Sequence, residues 1–357
     1  LLQIPASSIQ ALITKQIAQN RSKNLYHYKW YSLLLFSLMG VIFSILFFLN
    51  KDVISTVATI PSETIIYLAI TFLFAFVRPI AKGLLLGLEK IGTVNIVLLL
   101  ETILKFVIGG IAIRMGGSLS LLILANSIPS IISSIIIIPL IKLERGNHEK
   151  VKISYKELLL IAVSFLLLTA PFTIDLILVN PEFRAEYAAI SLLGKLVYFA
   201  SITTASVMFA RLTNENIEKD QKKSLAISLA LSLLIGLFIS LVYFLFSGYV
   251  VDLTVGNTYN IIQKYIGMFG LCMTGFAFVY MVANYFISRG FFRYLYILCI
   301  TTALQISLFV LRNDSLDEVI QNQAIVYLFL TSVTLVYLLS KLGIFSNGIR
   351  EKNREES

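Results

Sequence analysis

Six ionisable side chains lie within long apolar stretches of the sequence, where an isolated charge is costly. A charge near the centre of a bilayer costs roughly 2.5–3.5 kcal/mol per residue, so such side chains normally face a protein interior or a water-filled cavity. The six residues are Arg78, Lys82, Glu101, Lys105, Asp175 and Lys195. Cations outnumber acids in this set, and Arg and Lys both bind phosphate, Arg through its planar fork and Lys as a point charge. The set therefore predicts a binding site for an anionic head group, formed by Arg78, Lys105, Lys195 and Lys82.

The spacing of these residues indicates which of them share a helix face. Arg78 and Lys82 are four residues apart, and Lys82, which is nearer the predicted cytoplasmic end, can extend its ammonium to the lipid head groups. Glu101 and Lys105 are also four apart and can pair within one helix. Alternatively, Glu101 pairs with Arg78 on the antiparallel neighbouring helix. Lys105 is then expected to face a central cavity.

The second half of the chain contributes Asp175 and Lys195. Lys195 lies about nine residues from the outer end of its apolar segment, too deep for its ammonium to reach the surface easily, so we expect it to face a cavity. Asp175 lies a little over one helical turn from the outer surface. It is either a ligand for a coupling ion or proton, or a cap at the interface. Glu101 and Asp175 are thus candidates for ion coupling or for structural pairing.

Ten apolar segments are long enough to carry these residues across a membrane, since about 20 residues span about 30 Å of hydrocarbon. The runs are too continuously apolar for the strands of an outer-membrane barrel. Residues 1–20 resemble the end of a further span or, alternatively, a re-entrant or surface helix at 5–20. We therefore expect an all-α integral membrane protein with about ten complete transmembrane helices of about twelve, the N-terminal part being truncated. The predicted spans are 31–50, 64–88, 92–114, 119–142, 157–180, 186–210, 224–247, 261–288, 292–311 and 320–342.

The distribution of positive charge predicts the orientation. Most of the 29 Lys and Arg residues fall on alternate connections between the spans, which the positive-inside rule assigns to the cytoplasm. Residues 143–157, residues 211–223 and the C-terminus are thus predicted to be cytoplasmic, and residues 51–63 and 247–260 external. Basic loops facing the membrane lipids account for the net charge of +9, so no nucleic-acid partner is predicted.

The longest polar connection divides the chain into two parts. Residues 1–142 form an incomplete N-terminal lobe, with the end of one span and four further spans, and residues 143–157 form a cytoplasmic linker. Residues 158–343 form a C-terminal lobe of six spans, and residues 344–357 a cytoplasmic tail. Parallel repeats of this kind are a common plan among transporters. The division predicts two pseudo-symmetric six-helix lobes around a central cavity.

The motifs of several enzyme classes are missing from the sequence. There is no P-loop, Gly-rich dinucleotide turn or nucleophile motif, and no cluster with metal-ligand spacing. His27 and His148 fall in predicted cytoplasmic loops, and Cys272 and Cys299 in separate spans. We therefore predict that the chain is not an enzyme and holds no metal or cofactor, apart from a possible coupling ion, Na⁺ or H⁺.

Two stretches carry a resemblance to a known family. Residues 171–214 contain Asp175, an acidic turn at Glu182, Tyr187, the Gly194–Lys195 step and the basic exit at 209–212. Residues 83–105 form a basic turn containing Gly that runs into an apolar helix. Both stretches resemble the polysaccharide and O-antigen flippases of the multidrug/oligosaccharidyl-lipid/polysaccharide exporter superfamily, although Ala210 stands where Pro is usual.

This resemblance implies a function. It implies the architecture of these flippases, in which two six-helix lobes form a V around a cavity that opens alternately to each side of the plasma membrane. The implied substrate is a lipid-linked oligosaccharide on polyprenyl pyrophosphate, and the implied partners are the glycan polymerase and glycosyltransferases of the same pathway. A cation-coupled multidrug exporter of the same superfamily, a membrane oligosaccharide polymerase or ligase, and a scaffold subunit remain as alternatives. The excess of buried cations favours an anionic substrate.

Overall fold

The computed structural model describes residues 3–20, 23–58, 61–143, 153–204 and 218–341. Several predictions fall outside these ranges. They concern most of the linker 143–157 with His148, the end of the sixth predicted span with the 209–212 motif, the start of the 211–223 loop, and the tail 344–357.

The described chain is helical, and no β-strand occurs in these ranges. Short 3₁₀ turns lie at Pro181–Phe183, Ile202–Thr204, Asn257–Ile262 and Phe292–Tyr294. The α-helices are α1 Gln3–Gln19, α2 Leu25–Leu49, α3 Lys51–Ala58, α4 Ser62–Gly87, α5 Ile91–Arg114, α6 Leu119–Leu140, α7 Tyr155–Thr173, α8 Asp175–Leu178, α9 Arg184–Ser201, α10 Glu218–Leu245, α11 Ser247–Thr254, α12 Gln263–Arg289, α13 Leu295–Leu311 and α14 Leu316–Lys341.

Within the described ranges, nine helices are long and apolar enough to cross a membrane. They are α2, α4, α5, α6, α7, α10, α12, α13 and α14, and they match nine of the predicted spans to within a few residues at most ends. The expectation of an all-α multi-pass membrane protein is confirmed. The remaining predicted span, 186–210, corresponds to α9, which ends at Ser201 and is followed by the 3₁₀ turn Ile202–Thr204; residues 205–210 lie outside the described ranges.

Two boundaries differ from the sequence-based prediction for physical reasons. Helix α2 begins at Leu25 rather than at residue 31, because the Asn24 side chain accepts a hydrogen bond from the His27 amide and caps the first turn. The predicted span 157–180 is broken between α7 and α8. Pro171 has no amide hydrogen to donate to the carbonyl of Leu167. Its own carbonyl accepts hydrogen bonds from buried side chains, as backbone groups at an interrupted helix require in a membrane. These donors are Gln305, Gln323 and Tyr327, at 3.0, 3.1 and 3.2 Å.

The chain divides into two compact units, Leu1–Phe165 and Leu166–Ser357. In the N-terminal unit, α4 is central and packs against α1, α2 and α6. Gly83 and Gly87 allow α1 to approach closely, because an added Cβ would lie 2.8 Å from Ile13 Cβ and 2.6 Å from Ile17 Cβ. This is the small-residue spacing that membrane helices use for close packing. It fixes the half of α4 that carries the candidate cations.

In the C-terminal unit, α12 is the buried helix, and α9, α10 and α14 pack around it. Gly194 of α9 faces Phe269 of α12 so closely that an added Cβ would clash with the ring. A cluster of aromatic rings lies beside this contact and joins α7, α9, α12 and α14. Its members are Phe172, Tyr198, Phe276 and Tyr327.

Candidate functional site

An ion pair joins two helices of the N-terminal unit at membrane depth. Arg78 Nη2 of α4 lies 2.6 Å from Glu101 Oε2 of α5, and the Glu101 side chain is only 3% exposed. Ser133 of α6 also donates a hydrogen bond to this carboxylate. Of the two alternatives left open for Glu101, the structure has the interhelical pair, and the described residues Glu101 and Lys105 form no salt bridge with each other. Three helices therefore meet at one buried carboxylate.

Lys105 and Arg78 line the same cavity, which has a volume of about 280 Å³. Thr71 Oγ1 and Ser127 Oγ lie 2.8 Å apart in its wall and belong to α4 and α6. The remaining lining residues are Ala6, Phe74, Ala75, Asn126 and Ser130. Because Glu101 is paired with Arg78, the ammonium of Lys105 has no carboxylate partner among the described residues. The cavity thus combines two cationic groups with hydroxyl and amide groups, an arrangement suited to an anionic, hydroxyl-rich ligand.

Lys82 lies one turn from Arg78 on α4 but does not line this cavity. It borders a separate gap of about 10 Å³ with Arg78 and Glu101, which is too small for a ligand. The structure thus brings Arg78 and Lys105 together in one cavity. It places Lys82 beside the Arg78–Glu101 ion pair, where its positive charge adds to the charges of Arg78 and Lys105.

Local sequence features position these groups. Pro79 follows Arg78 and cannot donate a hydrogen bond to the carbonyl of Ala75, a residue of the cavity wall. The contact of Gly83 and Gly87 with α1 holds the next two turns of α4 against a neighbour. Arg78 therefore projects from a segment in which Pro79 removes one backbone hydrogen bond and the following turns are held by packing against α1.

Helix α6 contributes polar residues that were not predicted as site residues. Serines within an apolar helix are common packing residues, so these were not singled out. Their spacing nevertheless carried a signal, since the positions i, i+1, i+4, i+7 and i+8 lie on one helix face. The residues are Asn126, Ser127, Ser130, Ser133 and Ser134.

In the C-terminal unit, Asp175 is fully buried at the start of α8. Its carboxylate accepts hydrogen bonds from Tyr187 Oη and from the Leu176 amide, both at 2.8 Å. These bonds tie α8 to α9. The geometry is that of structural pairing, and the predicted role of Asp175 in ion coupling remains a prediction.

Lys195 is half-buried on α9, and its ammonium lies 4.7 Å from the centroid of the Phe172 ring. Such a contact stabilises a cation over the face of an aromatic ring. The described residues Lys195 and Asp175 form no salt bridge with each other. Lys195 therefore has an aromatic contact and no carboxylate at salt-bridge distance among the described residues, and its role in binding remains a prediction.

Comparison with known proteins gives no match to a family model or to a curated protein sequence. Solved structures do match over nearly the whole chain. An outward-facing multidrug resistance MATE family transporter of the MOP superfamily has a TM-score of 0.78 and 14% identity, covering 97% of this chain and 86% of that one.

A MOP superfamily transporter from Pyrococcus furiosus, described as having a binding pocket of reversed polarity that suggests a different function, has a TM-score of 0.75. It is 15% identical and covers 94% of this chain and 84% of that one. A MATE protein in its straight conformation also has a TM-score of 0.75. It is 14% identical, and the match covers 97% of this chain and 86% of that one.

These similarities establish the fold. The chain is a multi-pass membrane protein with the two-lobed helical fold of MATE transporters, and the superfamily suggested by the sequence is the one whose structures it matches. The outward-facing neighbour is described as a transporter, and the absence of enzymatic activity in this chain remains a prediction.

Proposed function

We propose that the protein moves a lipid-linked oligosaccharide, carried on polyprenyl pyrophosphate, across the plasma membrane by alternating access for cell-surface polysaccharide synthesis. The observation that carries the proposal is the shared cavity of Arg78 and Lys105, which is lined by hydroxyl and amide side chains. A pyrophosphate supplies negative charge to the two cations. The sugar hydroxyls supply partners for the Asn126 side chain and can donate to the hydroxyl oxygens of Thr71 and Ser127, whose own hydrogens are bonded to backbone carbonyls.

The charge balance of the N-terminal unit supports an anionic substrate. Arg78, Lys82 and Lys105 lie near one carboxylate, Glu101, so the cluster retains an excess of positive charge. Electrostatic attraction grows as water is excluded, and a cationic ligand in this cavity would meet repulsion of the same origin. Lys195 supplies a further unpaired cation in the C-terminal unit.

The alternative is a cation-coupled multidrug exporter, which the fold fits equally well. It requires acidic groups able to meet a cationic drug. Glu101 is engaged by Arg78 and Ser133, and Asp175 is engaged by Tyr187. Neither carboxylate faces the described cavity without a partner, so drug export is the second candidate. A membrane oligosaccharide polymerase or ligase is a weaker one, since the matching structures are transporters.

The proposal also includes a coupling ion, partner enzymes of cell-surface polysaccharide synthesis and an orientation in the membrane. Na⁺ or H⁺ would drive transport, and the glycan polymerase and glycosyltransferases would act on either side of the membrane. The C-terminus would be cytoplasmic.

The test uses purified protein in liposomes loaded with a polyprenyl-pyrophosphate oligosaccharide, with lectin binding as the measure of sugar reaching the opposite surface. Wild type should move the sugar, and Lys105→Gln should reduce the rate strongly because it removes an unpaired cation without stranding a carboxylate. Arg114→Gln, at the exposed end of α5, is the matched control and should keep the wild-type rate. Export of ethidium without movement of the glycolipid would instead identify a drug exporter.

A further inference from the structure

Serine hydroxyls in apolar helices usually donate to the carbonyl four residues earlier, which satisfies them without a ligand. Helix α6 follows this rule at Ser127, which bonds to the Ile123 carbonyl at 2.8 Å, and at Ser134, which bonds to the Ser130 carbonyl at 2.7 Å. Ser133 donates to Glu101. These hydroxyls are therefore accounted for within the protein.

Ser130 is different. It is 6% exposed and lines the cavity of Arg78 and Lys105, yet its hydroxyl has no hydrogen-bond partner among the described residues. The same holds for the Arg78 Nε–H, which is buried while Nη2 of the same side chain binds Glu101. A buried donor without an acceptor is costly, and such groups in native proteins need an explanation.

We propose that the Ser130 hydroxyl binds a phosphate oxygen of the transported lipid, beside Arg78 and Lys105. A phosphate offers several acceptor oxygens, so one group can accept from the hydroxyl and from both cationic side chains. Glu101 then acts as a positioning residue, holding the guanidinium by Nη2 and leaving Nε–H for the ligand. The inference rests on the proposed function, because it requires an anionic ligand in this cavity.

The experiment measures binding of geranylgeranyl diphosphate to the detergent-solubilised protein by calorimetry. Ser130→Ala should weaken binding roughly tenfold, the scale of one hydrogen bond to a charged acceptor. Ser130→Thr keeps a hydroxyl and should stay within about threefold of wild type. Ser120→Ala, in the same helix but outside the cavity lining, is the control and should bind as wild type does. Geranylgeraniol, which has no phosphate, should not distinguish the variants.

Thr and Val have the same shape, so Ser130→Thr and Ser130→Val form a pair that tests the hydroxyl even if the alanine variant fails to fold. Equal diphosphate binding by these two variants would overturn the role of Ser130. If wild type binds the diphosphate, Lys105→Gln loses it and Ser130→Ala keeps it, then only the Ser130 inference fails. If wild type does not bind the diphosphate at all, the proposed function itself fails.

Discussion

The Arg78–Glu101 pair should respond asymmetrically to removal of its two partners. Glu101 is 3% exposed, whereas the Arg78 side chain is 31% exposed. Arg78→Ala therefore leaves a buried carboxylate without a partner. Such a change lowers the free energy of unfolding by about 3–5 kcal/mol in other proteins. Lys82 borders the same gap as Glu101, and its positive charge attracts the Glu101 carboxylate. We therefore expect the free energy of unfolding to fall by an amount near the lower end of this range, about 3 kcal/mol.

Glu101→Gln leaves the Arg78 guanidinium, which can reach water in the cavity. We therefore expect the free energy of unfolding to fall by only about 1–2 kcal/mol. The double variant, Arg78→Ala with Glu101→Gln, contains no stranded charge and should be more stable than Arg78→Ala alone. The free energy of unfolding is measured by titration with SDS in mixed micelles and followed by circular dichroism. Equal losses for the two single variants, or a double variant as unstable as Arg78→Ala, would refute the asymmetry and the buried position of Glu101.

The other predictions concern the second lobe, the helix contact and the topology. Lys195→Gln should slow glycolipid transport in the liposome assay while changing the unfolding free energy by less than about 1 kcal/mol, since it removes only a partly exposed cation–π contact. Gly87→Val should destabilise the N-terminal unit by about 1–3 kcal/mol in the SDS titration, because its side chain would overlap Ile17; wild-type stability would contradict the α1–α4 contact. In a background without the native cysteines, an impermeant maleimide added outside intact cells should label Asn257→Cys but not Asn147→Cys, a site outside the described residues; labelling of both would disprove the orientation.

The spans could be predicted from the sequence because the bilayer imposes one requirement, a continuous apolar length, on every crossing helix. The break at Pro171 could be placed only roughly. A proline shows that the carbonyl four residues earlier loses its backbone donor, but not which distant side chains will bond to the carbonyl of the proline itself. Here Gln305, Gln323 and Tyr327 do so, from helices more than a hundred residues later in the chain.

The candidate site was predicted in part for a related reason. Burial cost singles out each intramembrane charge from local sequence alone, and the structure brings Arg78 and Lys105 into one cavity. The choice of partner for Glu101 was not predictable, since a contact within α5 and a contact with α4 have the same sequence support. The hydroxyl groups of α6 were missed because serine at membrane depth carries little insertion cost and therefore gives a weak signal.

The partner of Glu101 determines what the cluster can bind. If Glu101 paired with Lys105, the cavity would keep only a partly exposed guanidinium, and Lys105 would be neutralised in its own helix. Because Arg78 takes the carboxylate through Nη2, Lys105 has no salt-bridge partner among the described residues and Arg78 keeps a further donor. One carboxylate thus orients one cation and leaves the other unpaired. A cavity that only needed neutral walls would have no use for the second cation, and this is the physical reason to expect an anionic ligand there.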